Sequence, residues 1–203
     1  GRVPNTDADW FRSSGLKLDE RGYVTVDGYG RTNLDGVWAL GDITPGHALA
    51  HRAFEQGITI AEKIAGADPK PVIDDTVPQV VFSFPEAASV GLTLDQAKAR
   101  EDVVEPKETA YPMLSNARML MSGTAGSLTI VSGCDAANPD TPRVLGVHMV
   151  SQMASDIIAE AEQLVGNHVP LADAARLVHP HPTFSETLGE ALLKADGRPL
   201  HTR

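Results

Sequence analysis

Cysteine is almost missing from this sequence: Cys134 is the single one in 203 residues. One thiol cannot close a disulfide within the chain or build a cysteine-only zinc site. Any reaction that needs two thiols must find the second elsewhere. Long apolar runs are missing too, and none approaches the roughly 20 residues of a membrane helix. The first residues, Gly1-Arg2-Val3-Pro4-Asn5-Thr6, have neither the basic start nor the apolar stretch of a signal peptide. The expectation is therefore a cytoplasmic protein with no membrane partner. Positive charge is in deficit: 17 Lys plus Arg face 27 Asp plus Glu, a net charge of -10. An acidic surface repels phosphate, so nucleic acid is not an expected partner. Glycine fingerprints are also absent. Gly28-Tyr29-Gly30-Arg31-Thr32-Asn33 begins like a dinucleotide loop, but it ends in Asn33 and no clear helix follows. No P-loop and no Gly-x-Ser-x-Gly elbow occur.

What is present reads as a globular chain, with 42% apolar and 22% charged residues. Its length suits one domain or two small ones. Tyr23–Val26 alternates after Gly22 and reads as a strand, and Val37–Leu40 reads as a short buried strand ending at Gly41-Asp42. Ala50–Ile64 has helical spacing, with Ala53, Phe54, Gly57, Ile58, Ala61 and Ile64 near one face. Residues 71–77 fall in a Pro- and Asp-rich stretch without periodicity and read as a linker between 1–70 and 78–203. Beyond it, Gln79–Phe84, Val103–Tyr111 (broken by Pro106), Ser127–Ser132 and Val144–Val150 read as strands, with Gly133–Pro142 as a polar hairpin loop that would hold Cys134. Thr93–Arg100 is a short helix with capping-box spacing at Thr93 and Gln96. Ser151–Asn167 carries one apolar stripe of Ala154, Ile157, Ile158, Ala161, Leu164 and Val165, and Leu171–Leu177 and Thr183–Lys194 read as further helices. Strands followed by helices predict an α+β fold, an antiparallel sheet covered by helices.

The segment richest in chemistry is His179-Pro180-His181-Pro182-Thr183-Phe184-Ser185-Glu186. Three readings stay open. His181 and Glu186 could form an acid–base pair, with the carboxylate on the far ring nitrogen as in triad logic. An X-Pro bond before the helix, which can be cis, would then fix the ring's direction. Alternatively, His179 and His181 could ligate a metal, although prolines disfavour a regular strand and no third ligand lies nearby. Finally, Thr183-x-x-Glu186 could be a capping box and the histidines ordinary loop residues. The expectation is no metal. A second segment, Gly41-Asp42 with Ala48-Leu49-Ala50-His51 downstream, places a carboxylate at a strand end, where it could accept a ribose or ribitol hydroxyl. A simple Asp turn would look the same.

In order along the chain come Gly1-Arg2-x-Pro4-Asn5, Arg31-Thr32-Asn33, Ala39-Leu40-Gly41-Asp42, Leu49-Ala50-His51, Pro85-Glu86, Ser89-Val90-Gly91-Leu92-Thr93, Gly146-Val147-His148 and His181-Pro182-Thr183-x-x-Glu186. That ordered set resembles the pyridine nucleotide–disulfide oxidoreductases over essentially the whole chain. The form His179-x-His181-Pro182-Thr183-x-Ser185-Glu186 is most similar to the dihydrolipoamide dehydrogenase type. The resemblance implies that residues 1–70 end the NAD/FAD-binding region, an α/β fold, and that 78–203 form a dimerisation (interface) domain. Asp42 would bind the flavin ribitol of FAD, the Ala48, Leu49, Ala50 and His51 backbone would meet the flavin's pyrimidine edge, and Gly1 would lie near NAD. His181, oriented by Glu186, would be the acid–base that serves the other subunit of a homodimer. It further implies a disulfide or dithiol substrate such as lipoamide, and a 2-oxo acid dehydrogenase complex as a partner; glutathione, mycothiol disulfide or a quinone are the alternatives. The redox cysteine pair and both glycine fingerprints would belong upstream of Gly1, which makes this a C-terminal portion, inactive alone. A non-catalytic dimerisation module is the rival reading. The family's asparagine-glycine-arginine stretch stands here as Asn116-Ala117-Arg118. The resemblance gives no role to His179.

Overall fold

The structure, a computed structural model, describes residues 2–202. Gly1, expected near NAD, lies outside the described residues. The chain divides into two compact units, Gly1–Asp74 and Asp75–Arg203.

The first unit holds a short helix α1 (Asp9–Ser13), a 3-10 turn at Gly41–Ile43 and a long helix α2 (Ala50–Ile64). The two expected strands reduce to single bridges, Leu18 with Val24 and Arg31 with Trp38. Asp-led turns shape the backbone instead. Asp19 Oδ1 accepts the Arg21 and Tyr23 N–H groups at 2.9 and 2.8 Å, and Asp27 Oδ1 accepts those of Tyr29 and Arg31, each at 2.9 Å. Phe11, Val24 and Ala39 form the small core, flanked by Leu16, Val26 and Ile43. On α2 the structure corrects the periodicity argument. Phe54, Ile58 and Ile64 are exposed, and the buried residues are Arg52, Thr59 and Ile60. The helix is anchored by its mixed face, and the apolar stripe faces outward in this chain.

The second unit is a five-stranded antiparallel sheet in the order β1-β2-β5-β4-β3: β1 (Gln79–Val81), β2 (Glu86–Gly91), β3 (Val103–Pro112), β4 (Ser127–Asp135) and β5 (Asn138–Ser151). Two helices lie between strands, α3 (Leu94–Ala99), as expected, and α4 (Ala117–Ser122), which the sequence reading does not anticipate; three follow the sheet in the expected order, α5 (Ala154–Gly166), α6 (Leu171–Ala174) and α7 (Glu186–Ala195). The α+β architecture is thus the one expected. Pro106 is accommodated at a bulge, where the β3–β4 register shifts between Val104 and Lys107. Thr93 and Gln96 make the reciprocal capping box of α3.

The expected ten-residue hairpin loop shrinks to Ala136-Ala137, since Asp135 pairs with Asn138. The strands run on into the polar stretch, held by Arg143, whose Nη2 donates to Asp135 at 2.6 Å. Cys134 is therefore a buried strand residue rather than a loop residue, and burial pushes its thiol pKa up. The six stripe residues of α5 are all buried, packing over β2 and β5, while α7 packs over β3 and β4. Tyr111, Leu128, Ile130, Val147 and Leu188 fill the space between. Gly91 pairs with Gly146 across β2 and β5, where an added Cβ on either would run into backbone.

Candidate functional site

The His181 segment connects α6 to α7. Pro180 and Pro182 supply no backbone donors, so helix cannot form until after them. α7 then begins at Glu186, with Ser185 as an N-cap whose side chain makes no capping bond. The His181–Pro182 peptide is cis. His181 Nδ1 lies 2.8 Å from Glu186 Oε1, and the other carboxylate oxygen, Oε2, accepts the Thr183 N–H at 2.8 Å. One carboxylate thus joins two of the readings left open by the sequence. It satisfies half of a capping box and it orients the histidine. The other half of the box is not made: the N-cap position of α7 falls at Ser185, and Thr183 Oγ1 donates to the Pro180 carbonyl at 2.7 Å.

Burial alone would push the Glu186 pKa up, but the Thr183 N–H and the adjacent His181 outweigh it and hold it below the ordinary carboxylate value. An ionised Glu186 only accepts, so Nδ1 of a neutral His181 is its donor nitrogen. That leaves the lone pair on Nε2, on a side chain that is 68% exposed.

Local spacing does not reveal the groups that hold this segment. Asn116, which is buried, accepts the Met119 N–H at 2.9 Å as the N-cap of α4, and its amide donates to the Thr183 carbonyl at 3.1 Å. The Arg118 guanidinium lies 5.7 Å from the Phe184 ring centre. His179 turns inward, away from any metal-like pairing with His181, and its Nε2 lies 2.9 Å from Glu160 Oε1 on α5. A third pair joins His201 Nδ1 to Glu190 Oε1 on α7 at 2.8 Å. No group of three or more potential metal ligands occurs among the described residues.

Glu160 holds the His179 pKa above its ordinary 6.5, against burial, which pulls it down. A raised native value means that the pair's stabilisation is complete below about pH 6.5 and is lost as pH rises through that raised value. Glu160→Gln is therefore expected to melt below the parent protein at about pH 6, with the gap closing toward about pH 9. Thermal melts across that range check it; a gap that widens with pH would contradict it.

In the first unit, Asp42 is exposed on the 3-10 turn, and the Gly41 N–H donates to Gln56 Oε1 at 2.9 Å. Ala48, Leu49, Ala50 and His51 run into the start of α2, whose N-cap, Leu49, makes no side-chain cap and whose first turn has no acidic residue. An exposed carboxylate accepts from hydroxyls and the backbone at a helix start donates to carbonyls, a set that fits a ligand carrying both. Arg52 fixes this segment. Its Nη2 donates to the Pro45 carbonyl at 2.7 Å, and its Nε to Asp74 Oδ1 at 2.6 Å. No pattern in the sequence signals that ion pair, whose members lie 22 residues apart.

A family model described as the pyridine nucleotide-disulphide oxidoreductase dimerisation domain matches residues 77–192, and one described as pyridine nucleotide-disulphide oxidoreductase matches residues 1–57. The chain belongs to the pyridine nucleotide-disulphide oxidoreductase family. The resemblance read from the ordered motifs is thereby borne out. A dihydrolipoyl dehydrogenase of Cupriavidus necator is 42% identical over 202 residues, covering 99% of this chain and 41% of that protein. A dihydrolipoyl dehydrogenase of Bacillus subtilis is 36% identical, with the same coverage. Among solved structures, LpdA from Mycobacterium tuberculosis matches at a TM-score of 0.84 and 30% identity, over 96% of this chain and 41% of that one. The HOCl-induced flavoprotein disulfide reductase RclA from Escherichia coli matches at a TM-score of 0.80 over 95% of this chain and 43% of that one; at 23% identity it supports the fold alone. The chain thus spans about two-fifths of the length of the family members it matches. No helix among the described residues is long and apolar enough to cross a membrane.

Proposed function

We propose that this chain is the C-terminal part of an FAD-dependent, NAD-linked dithiol–disulfide oxidoreductase of dihydrolipoamide dehydrogenase type. The observation that carries the reading is the His181–Glu186 hydrogen bond of 2.8 Å in a chain of this family. His181 Nε2 takes the proton of a substrate thiol, so that the thiolate, the nucleophilic form, attacks a disulfide. In the reverse direction the imidazolium returns the proton to the leaving thiolate. Glu186 holds the ring in the tautomer that presents Nε2 and stabilises its cation. When bound, FAD supplies the redox chemistry between dithiol and nicotinamide. Asp42 would hold its ribitol, the Ala48–His51 backbone its pyrimidine edge, and Gly1 would lie near NAD. Residues 1–70 thus complete a cofactor-binding region, 71–77 link, and 78–203 form the dimer interface.

A homodimer is supported by the match to a dimerisation domain and by outward apolar side chains on the second unit, with Phe82, Phe84, Leu114 and Val178 all exposed. The partner subunit would then receive His181. A 2-oxo acid dehydrogenase complex is the partner that a lipoamide substrate would bring. Those same exposed residues favour the second reading, a module that dimerises without catalysis when the 203-residue chain stands alone.

The test is to purify the full-length polypeptide and this chain side by side. The full-length protein is expected to be yellow, to release FAD on denaturation and to oxidise dihydrolipoamide with NAD. The chain alone is expected to be colourless, dimeric and inactive. A full-length protein that reduces glutathione or mycothiol disulfide, or a quinone, and leaves lipoamide untouched would overturn the substrate assignment.

A further inference from the structure

His179 has no part in the chemistry above, yet it is the more firmly seated of the two histidines. Its side chain is 9% exposed. One side of the ring is tied to α5 through Glu160, at 2.9 Å. Another lies against α7 at Gly189, where a Cβ would come within 2.5 Å of His179 Nδ1 and 2.8 Å of Cε1. Only a bare α-carbon leaves room for the imidazole there. Gly189 sits in the interior of a ten-residue helix, where glycine is destabilising relative to alanine. The helix carries that cost at the point where the ring rests. Gly189 is three residues beyond Glu186, one turn along the same helix. A single proline separates His179 from His181, so little slack lies between the seated ring and the exposed one.

We propose that His179 is a positioning residue: wedged between α5 and α7 and tied to Glu160, it fixes where the His181 imidazole stands relative to Glu186. The inference rests on the reading of His181 as the acid–base group. Gly189→Ala is the sharpest probe, because it leaves His179, His181, Glu160 and Glu186 chemically intact and moves only the ring. Glu160 offers an independent probe on the other side: Glu160→Ala removes the tie, while Glu160→Gln keeps a hydrogen-bonding partner.

The experiment measures kcat and KM for dithiol oxidation, and the pH profile of kcat, in the full-length flavoenzyme. His181→Gln is carried alongside. Gly189→Ala and Glu160→Ala are expected to lower kcat about 10- to 100-fold, the scale of a misplacement of about 1 Å. KM for the dithiol should stay within about twofold, because ground-state binding is untouched. Flavin content and dimer mass should be unchanged, and the pH profile of kcat should shift. Glu160→Gln should recover most of the loss. If Gly189→Ala does not fold, the two Glu160 variants decide. An inactive His181→Gln beside Glu160→Ala and Gly189→Ala enzymes with parental kcat and pH profile would overturn the positioning role. A fully active His181→Gln would instead overturn the acid–base reading on which it rests.

Discussion

Replacing His181 by Gln in the full-length enzyme is expected to cut turnover of the dithiol by about 10²- to 10⁴-fold, the range that a positioned general acid–base contributes. The glutamine amide N–H can still donate to Glu186 in place of the ring N–H but cannot carry a proton between thiol and solvent at neutral pH. The loss should fall on kcat, because the group acts on the transferring proton rather than on ground-state binding. Flavin should stay bound, since His181 lies in the second unit and the proposed flavin contacts at Asp42 and Ala48–His51 lie in the first. Stopped-flow reduction by dihydrolipoamide, read from the flavin absorbance, separates this step from reoxidation by NAD. Near-parental reduction would remove His181 from the mechanism. Glu186→Gln should cost less in rate than His181→Gln. It also removes the charge that fixes the tautomer and replaces one of the two carboxylate oxygens, so it should lower the thermal midpoint as well, which His181→Gln should not.

The largest effect on stability is expected from Gly146→Ala. Gly146 pairs with Gly91 across β2 and β5, at the centre of the sheet order. A Cβ on Gly146 would meet the Leu92 carbonyl oxygen at 2.1 Å and the Leu92 nitrogen at 2.9 Å. Both are backbone atoms, and the Leu92 N–H is already committed to the Leu145 carbonyl at 2.9 Å. Relief therefore requires the two strands to part, breaking ladder hydrogen bonds in a sheet that supports α5. Overpacking of this kind costs up to about 3 kcal/mol, a fall of roughly 10 °C in midpoint for a unit of this size. Gly57→Ala, where no atom lies within 4 Å of the added carbon and the backbone is helical, is the control for local crowding. Differential scanning calorimetry of the two variants checks the order; equal midpoints would contradict the crowding argument.

How much of this was legible in the sequence depends on how far apart the partners lie. The α5 stripe was legible because a helix repeats within a few residues, and all six predicted positions are buried. The capping box of α3 was legible for the same reason, with both members inside one turn. His181 and Glu186 stand five residues apart, and their hydrogen bond was anticipated as one of three alternatives. His179 with Glu160, 19 residues apart, and His201 with Glu190, 11 apart, were not, because nothing local distinguishes those carboxylates from others on a solvated helix. Asn, Pro and Asp signal a longer hairpin loop than the structure has, because the Arg143–Asp135 pair that lets strands cross such residues is invisible until they face each other. The α2 stripe shows the opposite limit. Periodicity finds an apolar face, but not what that face is turned toward, and here it is turned outward.

The divided duty of Glu186 has a thermal consequence. The carboxylate that orients His181 also secures the Thr183 N–H just ahead of α7, so orientation of the ring and closure of that first turn are one local equilibrium. Helix ends open at far lower free energy than sheet cores do. Whenever this turn frays, the imidazole loses its orienting partner in the same event, while the strands beneath remain folded. Heating should therefore extinguish the proton-transfer step before the sheet melts, so that inactivation and unfolding follow separate temperature curves.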